Sequence, residues 1–271
     1  MLPVYQKKCL MYDRFVPFLG ELADAKAASM SGNGWIVDIG ANVGDTVAGL
    51  IRHTLAEVIC VEPTTKYSVL LHKNVTAMGV PYIDRIHCVQ AYIAENDEDA
   101  YVSQVVHGTA VKEKIAAKAT AEAPTMTIPE LLQLQNVASK ALALVKVDTD
   151  GYDSECILSL GNLLSDISPI LYWENAIEQT SQMKKYIQMT HYLAGHNYTH
   201  FFVFDNFGNF LAEMDAAGME DVDYYLERIL RQRSPRSFYY VDVLASKDED
   251  MTICRTTISR YLRVYAQHGD A

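Results

Sequence analysis

One stretch of the sequence, WIVDIGANVGDTV at residues 35–47, constrains the fold more than any other. It begins with mostly apolar, partly β-branched residues, which predict a short buried strand. Gly40 and Gly44 follow in a polar loop, and glycines allow a backbone to turn tightly or to approach another group closely. Asp45 and Thr46 then begin a helical pattern, because acids and capping residues are favoured in a first helical turn. The stretch predicts a strand, a glycine turn and a helix.

Strands and helices alternate along most of the remaining chain. Further short apolar runs predict strands at EVICVEP, RIHCVQAYIA, ALALVKVD and SPILYWEN. These runs are continuously apolar rather than two-faced, which is typical of a parallel sheet with helices on both faces. The hairpin pattern YTHFFVFDNFGNF and the later strand SFYYVDVLAS predict an antiparallel C-terminal edge. We therefore predict an α/β fold with a doubly wound, mostly parallel sheet.

The whole chain, residues 1–271, is predicted to form a single domain. Residues 1–30 are predicted as an N-terminal helical extension, residues 35–245 as the core and residues 246–271 as a C-terminal helix. The segment 107–124 is rich in Ala, Lys and Thr, and it is predicted to be either a surface helix or a mobile flap.

Composition and charge exclude several classes of protein. No segment is long and apolar enough to predict a membrane span, and the first residues lack the apolar core of a secretion signal. The five cysteines are scattered without a CxxC pair, which predicts neither a disulfide framework nor a zinc site and favours a cytoplasmic location. The net charge of −11 argues against nucleic-acid binding, which depends on clustered Lys and Arg.

A second acid narrows the interpretation of the glycine turn. Glu62 ends the second predicted strand, and a turn that served only for close packing would not explain it. A dinucleotide such as NAD would use this acid too, but its motif requires glycines where this chain has Asn42 and Asp45. The Asp45 carboxylate would also repel a pyrophosphate at the start of the helix.

S-adenosylmethionine suits the same turn, because it is a nucleoside without phosphate. Glu62 is able to accept hydrogen bonds from both ribose hydroxyls, and Gly40 and Gly44 allow the backbone to approach the methionine tail. Asp38 would place a negative charge near the sulfonium. We therefore predict S-adenosylmethionine as the cofactor.

The motifs VDIGANVGDTV, VEP, VKVDTDGYDSECI, PILYWEN and FFVFDNFGN together resemble the FkbM-type methyltransferases. The resemblance is collinear and extends from about Trp35 to Ala245. It implies a class I, Rossmann-like, S-adenosylmethionine-dependent enzyme that O-methylates a sugar, a glycan or a secondary metabolite. It also implies that residues after the third strand meet the adenine, and here Tyr92 is able to stack on that ring or to pack inward. The cofactor-binding residues predicted in this way are Asp38, Gly40, Asn42, Gly44, Asp45, Thr46, Glu62, Gln90 and Ala91.

The chain departs from the family pattern in its second half. Family members read D-V-E-G-Y-E after the fourth strand, where this chain has D-T-D-G-Y-D at residues 148–153. Family members usually have T-L-D before the fourth strand, where this chain has Thr-Ile-Pro at residues 127–129. Their fifth strand often ends in E-x-H, whereas here Glu174 is followed by Asn175 and Ala176. The cofactor half therefore matches the family better than the catalytic half.

Three acids are the predicted catalytic residues. A hydroxyl acceptor needs a base, and Asp148 or Asp150 at the end of the fourth strand is predicted to deprotonate or orient it. Glu174 ranks next, because an acid at the end of an apolar strand is costly unless it is paired or working. Asp153 has an alternative role as a helix cap. A hard cation held by this loop is a further alternative, although the prediction includes no metal site.

The predicted partner is a small-molecule or glycan acceptor, without nucleic acid or membrane. A homodimer through the N-terminal helix stays open. Two other functions also stay open at this stage: a catalytically inactive nucleoside-binding or scaffold protein, and an NAD-dependent oxidoreductase. His191, His196 and His200 are candidate bases near neutral pH, but such histidines are more often structural or exposed.

Overall fold

The computed structural model describes residues 14–30, 33–96, 100–106, 109–115, 122–177, 179–232 and 240–268. The strands are β1 (Trp35–Ile39), β2 (Glu57–Val61), β3 (Ile86–Val89), β4 (Tyr92–Ile93), β5 (Ala100–Val106), β6 (Thr109–Ile115), β7 (Thr125–Met126), β8 (Leu142–Val147), β9 (Ile170–Ala176), β10 (Tyr198–Asp205), β11 (Phe210–Met214) and β12 (Tyr240–Lys247). The α-helices are α1 (Val16–Ala27), α2 (Asp45–Leu50), α3 (Thr65–Met78), α4 (Ile128–Leu134), α5 (Asp153–Leu158), α6 (Thr180–Gly195), α7 (Ala216–Gln232) and α8 (Met251–His268).

An eight-stranded sheet in the order β11-β10-β12-β9-β8-β1-β2-β3 forms the centre of the molecule. The five strands from β9 to β3 are parallel, which confirms the predicted doubly wound, mostly parallel sheet. The antiparallel strands lie on the other side, and the late strand β12 is inserted between β9 and β10, so that β11 forms the outer edge. The chain proceeds outward from β1 in one direction and from β8 in the other. This reversal between β1 and β8 is the place where ligands bind in open α/β sheets.

Helices cover both faces of the sheet. Helices α4 to α7 and one set of strand side chains form one apolar core, and helices α1, α2, α3 and α8 form the other with the opposite set. Every residue of β8 is buried, as expected for a central strand covered on both faces. Among the described residues, no helix has the length and apolar character needed to cross a bilayer.

The N-terminal helix packs inside its own chain. Phe15 and Leu19 are almost completely buried, and the ring of Phe15 lies 5.2 Å from that of Tyr261 in α8. These two side chains therefore belong to the core, and the homodimer through the N-terminal helix stays a prediction. Residues 1–13 lie outside the described part of the chain.

Of the two alternatives predicted for residues 107–124, the surface helix is wrong for the described strand in this segment. Residues Thr109–Ile115 form β6, which pairs antiparallel with β5, and the mobile flap stays a prediction. The helix-favouring Ala and Lys content is overridden by backbone pairing with a neighbouring strand, since local propensity is a weak determinant beside tertiary contacts. Residues 107–108 and 116–121 lie outside the described residues. The run RIHCVQAYIA forms two strands, β3 and β4, separated by Gln90 and Ala91.

Candidate active site

A cleft opens at the carboxyl ends of β1, β2 and β8, beside the reversal in strand order. Its walls include Gly40, Asn42, Glu62, Ala91, Asp148 and Asp150. The structure therefore brings the first glycine turn, the strand-two acid and the loop after β8 together, as the sequence predicted for parallel strands that end at one edge.

The glycine turn packs closely against the end of β8 and is hydrogen-bonded to the end of β2. Gly40 has φ +81°, and a Cβ atom at this position would lie 1.8 Å from the carbonyl oxygen of Asp148. The amides of Gly40 and Ala41 both donate to the carbonyl oxygen of Val61, each at 3.0 Å. Gly44, with φ +89°, ends the turn immediately before α2. Close packing alone therefore requires glycine at position 40, whatever the cleft binds.

Glu62 is oriented by the same turn. Its Oε2 accepts from the amide of Asn42 at 3.1 Å, and its Oε1 accepts from the amide of Thr64 at 2.8 Å. The residue is 4% exposed and lines the cleft. Burial raises the pKa of Glu62, and the two amide hydrogen bonds oppose that rise. Each carboxylate oxygen has a second lone pair with which to accept a ligand hydroxyl.

A buried ion-pair group lies behind the turn. The ammonium of Lys146 is 3.1 Å from Oδ1 of Asp38 and 3.3 Å from Oδ2 of Asp148, and it donates to Oγ1 of Thr46 at 3.3 Å. Asp38 is completely buried, so burial raises its pKa while Lys146 opposes the rise. Its charge is thus balanced within the chain, and direct contact between Asp38 and a cofactor sulfonium stays a prediction.

The remaining predicted cofactor residues differ in their positions. Asp45 is exposed at the first position of α2. Gln90 donates to Oγ1 of Thr65 at 2.8 Å and to a neighbouring main-chain carbonyl, so its side chain holds the loop after β2. Ala91 and Tyr92 are buried residues that line the cleft.

The acidic loop after β8 is tightly turned. Asp150 and Gly151 both have positive φ, at 53° and 92°. Asp153 is fully buried at the start of α5, and its Oδ2 accepts from the amide and the hydroxyl of Thr149 at 3.3 and 3.0 Å. Burial, followed by the nearby charge of Asp148, raises the pKa of Asp153 to about 7. Asp153 therefore holds the loop through Thr149 and makes no side-chain cap on α5.

Glu174 lies beside another acid in the sheet. It is the direct partner of Asp242 on the antiparallel strand β12, which places both side chains on the same face. Burial raises the pKa of Glu174 well above its usual range, and the charges of Asp148, Asp153 and Asp242 raise it further. Glu174 is not among the residues that line the cleft, and its predicted role as a substrate or catalytic contact stays a prediction.

Lys146 and Asp242 were not identified from the sequence. A signal for Lys146 was present, because a single charged residue within the apolar run ALALVKV predicts a buried, paired charge. Asp242 had the same signal in FYYVDVLAS. The histidines have other partners: His200, for example, lies between Glu213 and Asp248 at 2.8 and 2.9 Å. Within the described part of the chain, no three His, Cys, Asp or Glu side chains are arranged to hold a metal ion.

Comparison with known proteins identifies one family. The model described as the methyltransferase FkbM domain matches residues 38–218, about two thirds of the chain. No curated protein sequence matches significantly.

Solved structures with a similar fold include three methyltransferases. The plantazolicin methyltransferase BpumL, in complex with SAH, is 11% identical over 91% of this chain and 88% of its own, with a TM-score of 0.42. TrmK of M. capricolum, also with S-adenosyl-homocysteine, is 12% identical over 88% and 70%, with a TM-score of 0.46. A SAM-dependent O-methyltransferase of Thermotoga maritima is 12% identical over 91% and 69%, with a TM-score of 0.44.

Proposed function

Because this chain belongs to the FkbM methyltransferase family, we propose that it transfers a methyl group from S-adenosylmethionine to a hydroxyl of a sugar, a glycan or another small molecule. S-adenosylmethionine as methyl donor follows from family membership. The hydroxyl acceptor and the roles of individual residues are the proposal.

The residues of the cleft fit this cofactor. Glu62 is the proposed ribose ligand, because both of its oxygens are already oriented by amides and keep lone pairs for hydroxyl groups. Ala91 and Tyr92 line the same cleft and are the proposed adenine contacts. Asp45 is exposed at the start of α2 and would repel a pyrophosphate there, which favours S-adenosylmethionine over NAD.

One observation carries the proposed acceptor chemistry: the Asp148 carboxylate borders the cleft and is 45% exposed, while its other contacts tie it to the glycine turn. When bound, the cofactor supplies an electrophilic methyl group on a sulfonium. Asp148 would accept the proton that the acceptor hydroxyl loses when it is methylated, and S-adenosylhomocysteine would be the other product. Such general-base assistance is typically worth about 10²–10⁴-fold in rate. Asp150, in the same cleft wall, is the alternative base, and Glu174 ranks next as a proposed substrate or catalytic contact.

The test combines binding and turnover. Isothermal titration with S-adenosylmethionine and with NAD distinguishes the two cofactor classes, and release of S-adenosylhomocysteine over a panel of sugars and polyols then measures transfer. Binding without release from any acceptor would contradict the proposed O-methylation and favour the scaffold interpretation. Tight binding of NAD alone would contradict the cofactor assignment.

The role of the acidic loop is tested by two substitutions. Asp148→Asn and Asp150→Asn are each made, and at least one is expected to lower kcat by about 10²-fold or more with little change in cofactor affinity. Asp221→Asn, at an exposed position of α7, is the matched control. Unchanged turnover in both loop variants would exclude these acids as the base.

A further inference from the structure

We propose that Lys146 is a positioning residue for the methyl transfer, acting by holding the Asp148 carboxylate in place at the acceptor end of the cleft. The inference rests on the proposed function, in which Asp148 is the base. Lys146 is buried, at 3% exposure, in the central strand β8 and is not among the residues that line the cleft. It is therefore expected to act through Asp148 rather than on a ligand.

The register of the sheet determines which groups Lys146 meets. Lys146 is the direct partner of Asp38 on the parallel strand β1, so the two side chains lie on the same face of the sheet. Thr46, in the first turn of α2, accepts a hydrogen bond from the ammonium. Asp148 lies two residues further along the chain than Lys146, and its carboxylate is 3.3 Å from the same ammonium. One cation therefore joins β1, α2 and the end of β8.

The ion pair of Lys146 with Asp38 and that of Lys146 with Asp148 have different effects, because the two carboxylates differ in burial. A buried ammonium is costly unless it is paired, and Asp38, which is fully buried at 3.1 Å, already supplies that partner. Asp148 adds a second carboxylate, yet its side chain is 45% exposed and water would stabilise it without Lys146. The contact at 3.3 Å is thus not needed to bury either charge. Its consequence is to restrict the direction of the Asp148 carboxylate.

The backbone of Asp148 is restricted by the same turn. Its amide donates to the carbonyl oxygen of Ile39 at 3.0 Å, and its own carbonyl oxygen lies where a Cβ of residue 40 would be. Contacts of both the main chain and the side chain therefore fix the position of Asp148 relative to the glycine turn that borders the proposed cofactor site. A base held in this way has a set direction relative to the methyl group, and a displacement of about 1 Å is able to cost about 10²-fold in rate.

A double-substitution cycle distinguishes positioning from a general structural role. Lys146→Met retains the length of the side chain without charge, and it is expected to lower kcat by about 10²-fold while the Kd for S-adenosylhomocysteine changes less than about threefold. In an Asp148→Asn background, Lys146→Met is expected to cause no further loss, because its effect requires the carboxylate. Lys146→Arg, which keeps the charge, is expected to recover part of kcat. Lys140→Met, at an exposed position just before β8, is the matched control.

Three results would overturn the proposal. The first is a kcat for Lys146→Met within about threefold of wild type. The second is a double variant in which the losses of kcat from the two substitutions multiply. The third is a kcat for Lys146→Arg that is no higher than that of Lys146→Met. If Lys146→Met fails to fold, Thr46→Val removes one partner of the ammonium. It is tested in the same two backgrounds at saturating S-adenosylmethionine, because Thr46 is also a predicted cofactor-binding residue. Its loss of kcat must likewise disappear in the Asp148→Asn background.

A second readout needs no turnover. A ligand-free crystal structure of Lys146→Met, or of Thr46→Val if the first does not fold, is expected to show the Asp148 carboxylate rotated away from Asp38 into solvent. An unchanged orientation would contradict the inference. Wild-type protein that releases no S-adenosylhomocysteine from any acceptor would instead defeat the proposed function, and this structural readout would still decide the role of Lys146.

Discussion

Glu62→Gln is the substitution that tests the proposed cofactor site most directly. The carboxylate of Glu62 accepts from two amides, those of Asn42 and Thr64, one on each oxygen. The amide side chain of glutamine has a single acceptor oxygen, so one of these N–H groups would face an NH₂ group instead. The proposed hydrogen bonds from the ribose hydroxyls would also lose a charged acceptor.

The expected size of the effect comes from those contacts. A hydrogen bond to a charged group contributes about 1.5–3 kcal/mol, which corresponds to a factor of about 10 to 150 in affinity. If one ribose hydrogen bond is lost, the Kd for S-adenosylhomocysteine should rise by that factor. The rise should be larger if the carboxamide of the variant also rotates, because a side chain that is 4% exposed has little water with which to replace the lost internal bond.

Isothermal titration with S-adenosylhomocysteine measures this change. Glu57→Gln is the matched control, since Glu57 begins the same strand at its opposite end and its side chain is 34% exposed beside His87. Circular dichroism at the titration temperature establishes that both variants are folded. A Kd for Glu62→Gln within twofold of wild type would refute the assignment of Glu62 as the ribose ligand.

Two further predictions concern stability. Gly40→Ala should lower the free energy of unfolding, measured in urea, by more than the ~1–2 kcal/mol that a left-handed backbone costs, because the new Cβ would meet the Asp148 carbonyl. Gly161 also has positive φ but has open space around it, so Gly161→Ala should show the backbone cost alone. Equal losses in the two variants would contradict this prediction. Burial raises the pKa of Asp223 from the usual 3.8 to about 7, so the folded state retains a proton that the unfolded state releases, and stability should fall by up to about 4 kcal/mol between pH 4 and 7. Asp223→Asn should remove that part of the fall in urea unfolding at several pH values, and an identical pH dependence in both proteins would contradict it.

The central sheet was predictable because its signals are local. Continuous apolar runs predicted β1, β2, β8 and β9 as buried parallel strands, and the structure places them side by side. Strand β6 was missed, because the segment 107–124 as a whole is rich in Ala, Lys and Thr, and Thr109–Ile115 becomes a strand through pairing with β5. The position of β12 inside the sheet was likewise not encoded in its own residues. It depends on partners in β9 and β10.

The candidate site divides in the same way. Gly40 and Glu62 were predicted because a turn motif and a strand-end acid have recognisable spacing, and the structure brings both into one cleft. Asp38 was assigned a ligand role from its motif alone, whereas the structure gives it a buried lysine as partner. Of the acid pair Glu174 and Asp242, only Glu174 was predicted as a site residue. Its pairing with Asp242 was not predictable, since Asp242 lies on a strand far along the chain.

The sequence by itself determined the strand, the glycine turn, the acid that follows it and the resemblance to a methyltransferase family, because each is written in residues close together in the chain. Only the tertiary structure decided which charges meet. Lys146 reaches Asp38 because β1 and β8 pair in a particular register, and it reaches Asp148 because the chain turns back at the end of β8. Electrostatic energy depends on distances in space, and sequence spacing does not specify those distances until the sheet has formed.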